Sequence, residues 1–329
     1  MVFLTLCGTL QAELTGGGEE LTEYLDRALL TRAPTARARS YSESTKQWET
    51  NIRLPRHITP LHYAVHLHPD LETDSFTGHV HIQIEIAKPC QAVWIHTKHL
   101  NITNTQLNTD LGEKVEILEA FEFAKNEFWV IQPETLLQKG EYTISVQFTG
   151  SLVDGLDGLY KSVYTNQKGE EVAIATSKFE PTSARKAFPC FDEPSFKATF
   201  SVSLVRPSTG YIALSNMPVQ EETSNTPSRG LTTVTFDKSV PMATYLACFI
   251  VCDFGFEETL TSTGQTRMRV YAAKDQMHRV QYSLGAGANM TAYFDNYFGI
   301  PYPLPKQDMI AIPDFAAGAM EHWGLITYR

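Results

Sequence analysis

The sequence predicts a mainly β fold: a large amino-terminal β-sandwich or saddle-shaped sheet domain, followed by a shorter stretch of mixed α and β character. Three observations carry that expectation. From Trp48 to about Phe256 the chain is written in short alternating runs, rich in β-branched residues and separated by turn residues. From about Gln265 the pattern changes to a strand, a long helical spacing and another strand. The 329 residues, 43% of them hydrophobic, are enough to close a core around such sheets. A formal net charge of −10, with no run of Lys or Arg to track phosphates, argues against nucleic acid as a partner and suits cationic peptides.

Taken in order, residues 1–47 read as leader and linker. Met1 to Ala12, MVFLTLCGTLQA, has the apolar run and small final residue of a secretory signal. No Lys or Arg precedes it, Leu10 is large for a cut after Ala12, and the run is too short to span a bilayer. Leu21, Leu25 and Leu29 then fall at i, i+4, enough for one short amphipathic helix. Pro34 to Lys46 has too few large apolar side chains to offset the entropy of ordering.

The β domain, 48–256, holds the runs LHYAVHLH, FTGHVHIQIEIA, AVWIHT, VEILEAF, EFWVIQ, EYTISVQF, ATFSVSLV, YIALS, LTTVTF and TYLACFIVCDF. Turn residues such as Pro69-Asp70, Lys139-Gly140 and Gly155 to Gly158 separate them. His66 and His68, like His79 and His81, sit at i, i+2 and share a strand face; without a third ligand they read as the polar side of a half-buried strand. Five cysteines are too few and too scattered for a disulfide framework. Asn101-Ile102-Thr103 and Asn289-Met290-Thr291 match the glycosylation sequon.

The second part, 257–329, begins with the strand TRMRVYA. Met277, Val280, Leu284, Ala288 and Phe294 then lie near helical spacing up to Gly299 and Pro301, an apolar face that reads as core, and Gly285 and Gly287 suit close packing. After the strand DMIAI comes the most informative stretch, Ile312 to Arg329. Gly318 and Ala319 remove side-chain bulk, so an extended edge there accepts another backbone as an added strand. Glu321, a carboxylate among small and apolar residues, is either paired or waiting for a cation. The ammonium of a free peptide amino terminus, with a pKa of about 7.7–8.0, is such a cation.

Gly318-Ala319-Met320-Glu321-His322, followed by WGLITYR, resembles the GAMEN exopeptidase motif of the M1 zinc aminopeptidases, in the form carried by the endoplasmic reticulum and insulin-regulated (oxytocinase) subgroup. His322 stands where that family has Asn. Thr176 to Ala198, TSKFEPTSARKAFPCFDEPSFKA, resembles a second patterned stretch of the family. SLVDGLDGLYKS, IALSNMP, ATYLACFIVCDF and YFGIPYPLPKQDMIAIPDF extend the resemblance over roughly 48–329.

The resemblance implies that 257–329 open an α/β thermolysin-like catalytic domain, ending after the GAMEH motif. It implies that Glu180 and Glu321 bind the substrate amine, that Gly318, Ala319 and Met320 bind substrate backbone, and that Lys178 lines the pocket for the first side chain. An alternative for Glu180 is a salt bridge to Arg185 or Lys186; for Lys178, an amine that reaches solvent with only its stem in the pocket. Asp192 and Glu193 are expected to fix the backbone of their turn.

Zinc in the family is held by an HExxH helix and a distal glutamate. No HExxH occurs in this sequence, so zinc is expected in the complete family member and none in this chain, which is expected to be inactive alone. The function expected is the amino-terminal portion of a zinc metalloaminopeptidase that removes single residues from peptide amino termini. The alternative is a non-catalytic, truncated peptide-binding or interaction protein that pairs with a full-length relative. The partners expected are peptides with a free amino terminus, and the compartment is the secretory pathway, in the endoplasmic reticulum lumen or on a lumenal or extracellular membrane face. A severed α/β domain is expected to expose apolar surface. His322 is expected to become a cation below about pH 6.5 and compete with the substrate ammonium.

Overall fold

Alternation in the sequence becomes face selection in the structure. In the strand Ile58–Asp70, every second residue from Tyr63 to Pro69 is buried, while His62, Ala64, His66 and His68 stay half-exposed. The structure is a computed structural model that describes residues 46–262, 264 and 266–329. The signal-like run, Cys7, the leucine spacing at 21–29 and nearly all of the linker lie outside the described residues. Residues 48–329 form one compact unit.

The fold is mainly β. Ile58–Asp70 lies near the middle of an eight-stranded sheet, ordered Val219–Ser224, Leu231–Phe236, Thr199–Pro207, Ile58–Asp70, Ser75–Ile86, Gly140–Ser151, Asn101–Thr109 and Lys114–Val115. Its pairing with Thr199–Pro207 is parallel and the other pairings are antiparallel. A three-stranded sheet combines Val93–His96, Phe128–Pro133 and Ile117–Phe123. A four-stranded sheet runs Ile212–Ser215, Phe249–Cys252, Glu171–Lys178, Gly158–Thr165. Aromatic side chains fill the core, with Tyr63 stacked on Phe200 at 4.7 Å and Phe188 edge-on to both.

The last sheet has five strands, in the order Gly255–Leu260, Arg267–Ala272, Lys306–Ala311, Leu325–Tyr328, Ala319–Met320. One face is covered by the helix Val280–Phe298, where Val280, Leu284 and Ala288 pack on Met268, Val270 and Met309. Gly287 lets the helix approach closely: a Cβ there would lie 2.4 Å from Met309 Cε and would make that flexible side chain shift. Gly285 faces open space and packs against nothing, contrary to expectation. Phe294 also departs from the expected face. It is 50% exposed and belongs to an outer aromatic row in which Tyr293 stacks on Tyr297 and Phe294 on Phe298. Among the described residues no helix is long and apolar enough to cross a membrane.

Several strands carry no alternation that a sequence reading detects. Asn101–Thr109, rich in Asn and Thr, buries only Leu107. TYLACFIVCDF is a strand only at Phe249–Cys252, with a 3-10 turn at Thr244–Leu246 before it.

The histidines meet across strands. His66 pairs with His79 in the register and their rings stack at 4.6 Å, while His81 meets His79 edge-on at 5.5 Å. His62 Nδ1 is bonded to Thr199 Oγ1 and His81 Nδ1 to Ser145 Oγ. Burial, helped by the neighbouring imidazoles, lowers the His66 pKa to about 4, and burial also lowers those of His62, His68 and His79. The unfolded chain, with histidines near 6.5, therefore takes up protons first on acidification. Stability from this row is complete above about pH 6.5 and is lost as pH falls from there towards 4. Urea unfolding at pH 7.5 and pH 5 should show a smaller acid loss in His66→Gln than in wild type; equal losses would refute this assignment.

Candidate functional site

The segment from Ile312 to Arg329 is held from both sides. Its own ends close on each other: Ile312 N–H donates to the Tyr328 carbonyl at 2.7 Å, and Arg329 N–H to the Gly318 carbonyl at 3.1 Å. From the β domain, Ser162 Oγ and Val163 N–H donate to Asp314 Oδ2, and Tyr160 Oη–H donates to the Asp314 carbonyl. Asn216 Nδ2 donates to both the Leu246 and the Trp323 carbonyls at 2.8 Å, and its Oδ1 accepts from Cys248 N–H. Gly324 has φ +78° and sits against that anchor, where a Cβ would lie 2.1 Å from the Asn216 carbonyl oxygen. No other residue fits there without moving the backbone.

This frame presents Ala319–Met320 as the last strand of its sheet, paired with Leu325–Tyr328 on one side and with no strand on the other. Met320 is buried, whereas Gly318, Ala319 and Glu321 are exposed. A side chain at 318 would enter open space, so the glycine leaves the approach to the edge clear. Glu321 makes no hydrogen bond or ion pair among the described residues and lines an apolar cavity of about 510 Å³ with Tyr302, Leu304, His322 and Trp323. The structure thus brings the motif residues to an open edge beside an unpartnered carboxylate.

Glu180 and Lys178 do not share a strand. The strand Glu171–Lys178 stops at Lys178, so Glu180 lies beyond it, ahead of a cis peptide to Pro181. Lys178 is 7% exposed and does not reach solvent. Its Nζ donates to the Glu180 carbonyl at 2.7 Å and to Glu180 Oε2 at 3.3 Å. Glu180 does not bridge to Arg185 or Lys186, which are engaged by Asp192 and Glu127 and by Asp157, respectively. Its carboxylate, about half exposed, keeps an oxygen free.

His322 overturns its expected role as an acid-range cation. It is 1% exposed, and neither ring nitrogen completes a well-aligned hydrogen bond. Burial lowers its pKa to about 3; the Leu246 carbonyl opposes that shift and the Lys178 ammonium adds to it.

Behind them lies an ion-pair node. Arg185 Nε donates to Asp192 Oδ2 at 2.8 Å and its Nη1 to Glu127 Oε2 at 2.8 Å. Asp192 Oδ1 accepts from Thr244 Oγ1, and Asp192 N–H donates to His96 Nδ1. Burial pushes the Asp192 carboxyl above its ordinary range and Arg185 pulls it back. Glu193 Oε1 accepts from Leu54 N–H. The DEP acids are expected to fix the backbone of their own turn; instead Glu193 holds the distant Leu54 backbone and Asp192 chiefly pairs with the Arg185 guanidinium. Asp314 and Asn216 were not legible as supports of this segment, because their partners lie far away in sequence. Asn101 and Asn289 are both exposed. Among the described residues no three His, Cys, Asp or Glu side chains converge to hold a metal.

Residues 59–246 match the model of the peptidase M1 N-terminal domain, and 282–329 match that of the peptidase family M1 domain. The chain is similar to human endoplasmic reticulum aminopeptidase 1, 40% identical over 92% of this chain and 33% of that protein. It is also similar to human glutamyl aminopeptidase, 41% identical over 87% of this chain and 30% of that protein. Aminopeptidase A of Gloydius brevicauda is 43% identical over 85% of this chain and 29% of that protein. The chain spans about a third of the length of these relatives.

Two outcomes follow from the geometry. Arg185→Ala leaves Asp192 buried without its counter-ion and should cost about 3–5 kcal/mol of unfolding free energy, read from urea titration; a loss below about 1 kcal/mol would show that the node is not stabilising. Histidine-selective NMR should find His322 neutral down to about pH 4, with its titration near 3. A titration between pH 6 and 7 would overturn its buried, unprotonated state.

Proposed function

The chain belongs to the M1 peptidase family, and from that premise we propose that residues 48–329 supply the amine-recognition part of an aminopeptidase that trims single residues from peptide amino termini. The observation that carries this reading is the unpartnered Glu321 at the open end of the Ala319–Met320 edge. An extended peptide added to that edge pairs its backbone with residues 318–320, and its ammonium meets Glu321 and the free oxygen of Glu180. An internal peptide bond has no ammonium to offer, so recognition is confined to the chain end.

Zinc would polarise the scissile carbonyl in the complete enzyme. The residues proposed to act in this chain, Glu180, Glu321 and 318–320, bind and orient the peptide end. A non-catalytic peptide-binding role uses the same residues. Pairing with a full-length relative is supported by the exposed aromatic row on the helix Val280–Phe298. Placement in the secretory pathway is supported by the name of endoplasmic reticulum aminopeptidase 1 and by the two exposed sequons.

Lys178 sets the expected preference. Its buried ammonium beside Glu180 repels a basic first side chain and favours an acidic one. Fluorescent peptides with amino-terminal Glu, Leu or Arg should bind the 329-residue chain, with Arg weakest and with binding lost on amino-terminal acetylation. Lys178→Asp should reverse the Glu-to-Arg order by about 10–100-fold, corresponding to ~1.5–3 kcal/mol for a desolvated charge contact. An unchanged ratio would remove Lys178 from the pocket, and acetylated peptides binding as well as free ones would remove the amine-recognition reading.

A further inference from the structure

The polar face of the five-stranded sheet holds a second feature, unrelated to the peptide edge. Arg267 and Arg269 share one face of the strand Arg267–Ala272; Lys306 and Asp308 share the matching face of its parallel neighbour. In the register Arg267 stands opposite Lys306, and Arg269 opposite Asp308. The other face is the apolar one beneath the helix. Across a cavity of about 250 Å³ the polar face looks onto the β-domain segment 214–219.

The charges around this cavity do not balance within the protein. Arg269 gives its Nε to Glu258 Oε2 at 2.9 Å. Lys306 commits its three N–H donors to Asp308 Oδ2 at 2.7 Å and to the Ser215 and Gly324 carbonyls at 2.8 Å each. The Arg267 guanidinium has no carboxylate and no hydrogen-bond acceptor among the described residues, and its Nε is buried without one. Asp308 is 2% exposed, and its Oδ1 is buried without a donor. Two buried polar atoms without partners, Arg267 Nε and Asp308 Oδ1, therefore belong to residues that line one cavity, and each costs free energy while unmet.

We propose that this cavity binds a small oxyanion that carries its own proton, of which inorganic phosphate is the simplest. Its oxygens accept from Arg267 and its P–OH donates to Asp308 Oδ1, so both orphaned groups are satisfied at once. Sulfate has the same shape but no proton to give at neutral pH, and it would set a lone pair against the Asp308 carboxylate. That difference separates this site from a merely basic surface. The proposal is independent of the peptide-binding reading, because neither Glu180 nor Glu321 takes part.

Isothermal titration of the full 329-residue chain at neutral pH tests it. Phosphate should bind saturably, sulfate at least about tenfold more weakly, and Arg267→Gln should weaken phosphate by about tenfold or more. Arg267→Lys, which keeps the charge, should retain part of the affinity, and Arg229→Gln, on an exposed turn, should retain all of it. Should Arg267→Gln fail to fold, as judged by circular dichroism, the sulfate comparison on the wild-type chain and the Arg267→Lys titration decide the matter. The proposal is overturned by the absence of saturable phosphate binding, by equal affinity for sulfate, or by wild-type affinity in Arg267→Gln.

Discussion

The buried pair of Arg185 and Asp192 is the constraint around which the β domain is assembled. Arg185 follows the four-stranded sheet, its second partner Glu127 belongs to the hairpin of the three-stranded sheet, and Asp192 reaches Thr244 and His96. One residue earlier in the same turn, Phe191 N–H donates to Tyr63 Oη, buried within the eight-stranded sheet. Three sheets thus converge on a few side chains with little exposure to water. A charged node of this kind adds little net stability over an apolar replacement, but it tolerates no partial solution, since either ion left alone is heavily penalised. The sheets are held to one relative placement, and the segment carrying Lys178 and Glu180 leaves the four-stranded sheet just before the node.

That placement decides the electrostatics around Lys178, Glu180 and His322. Lys178 is buried, so its charge is screened poorly and is felt both by Glu180 and by His322. His322, in turn, is kept neutral by burial, and its replacement of an amide alters hydrogen-bonding options without adding charge beside Glu321. On the proposed reading, the lysine and not the histidine sets the field that an incoming ammonium would meet.

Much of the fold was legible because half-buried strands must alternate: the runs around Tyr63, Val80 and Ile144 follow the pattern closely. Asn101–Thr109 was not legible because it buries almost nothing and is held by backbone bonds to its neighbours. The helix was legible as a helix, but Phe294 shares the spacing of its apolar face without sharing its burial. At the site, the motif letters gave the chemistry of Glu321 and the small residues before it. They did not carry solvent exposure, so the burial of His322 and the Lys178–Glu180 contact became visible only once segments distant in sequence were brought together. The same holds for Asp314, whose partners are 151 and 152 positions away.

Gly324 has a consequence for how such proteins diversify. Its Cα stands against the carbonyl of Asn216, with no side chain between the motif turn and the β domain. Contacts made through side chains can drift, one residue changing size as its neighbour compensates, but a contact between two main chains has no such freedom. The β domain and the segment that follows it are therefore not freely interchangeable modules. A recombinant that joins halves from distant relatives inherits the seam only if both halves keep this approach, and variation is steered to positions where side chains alone are at stake.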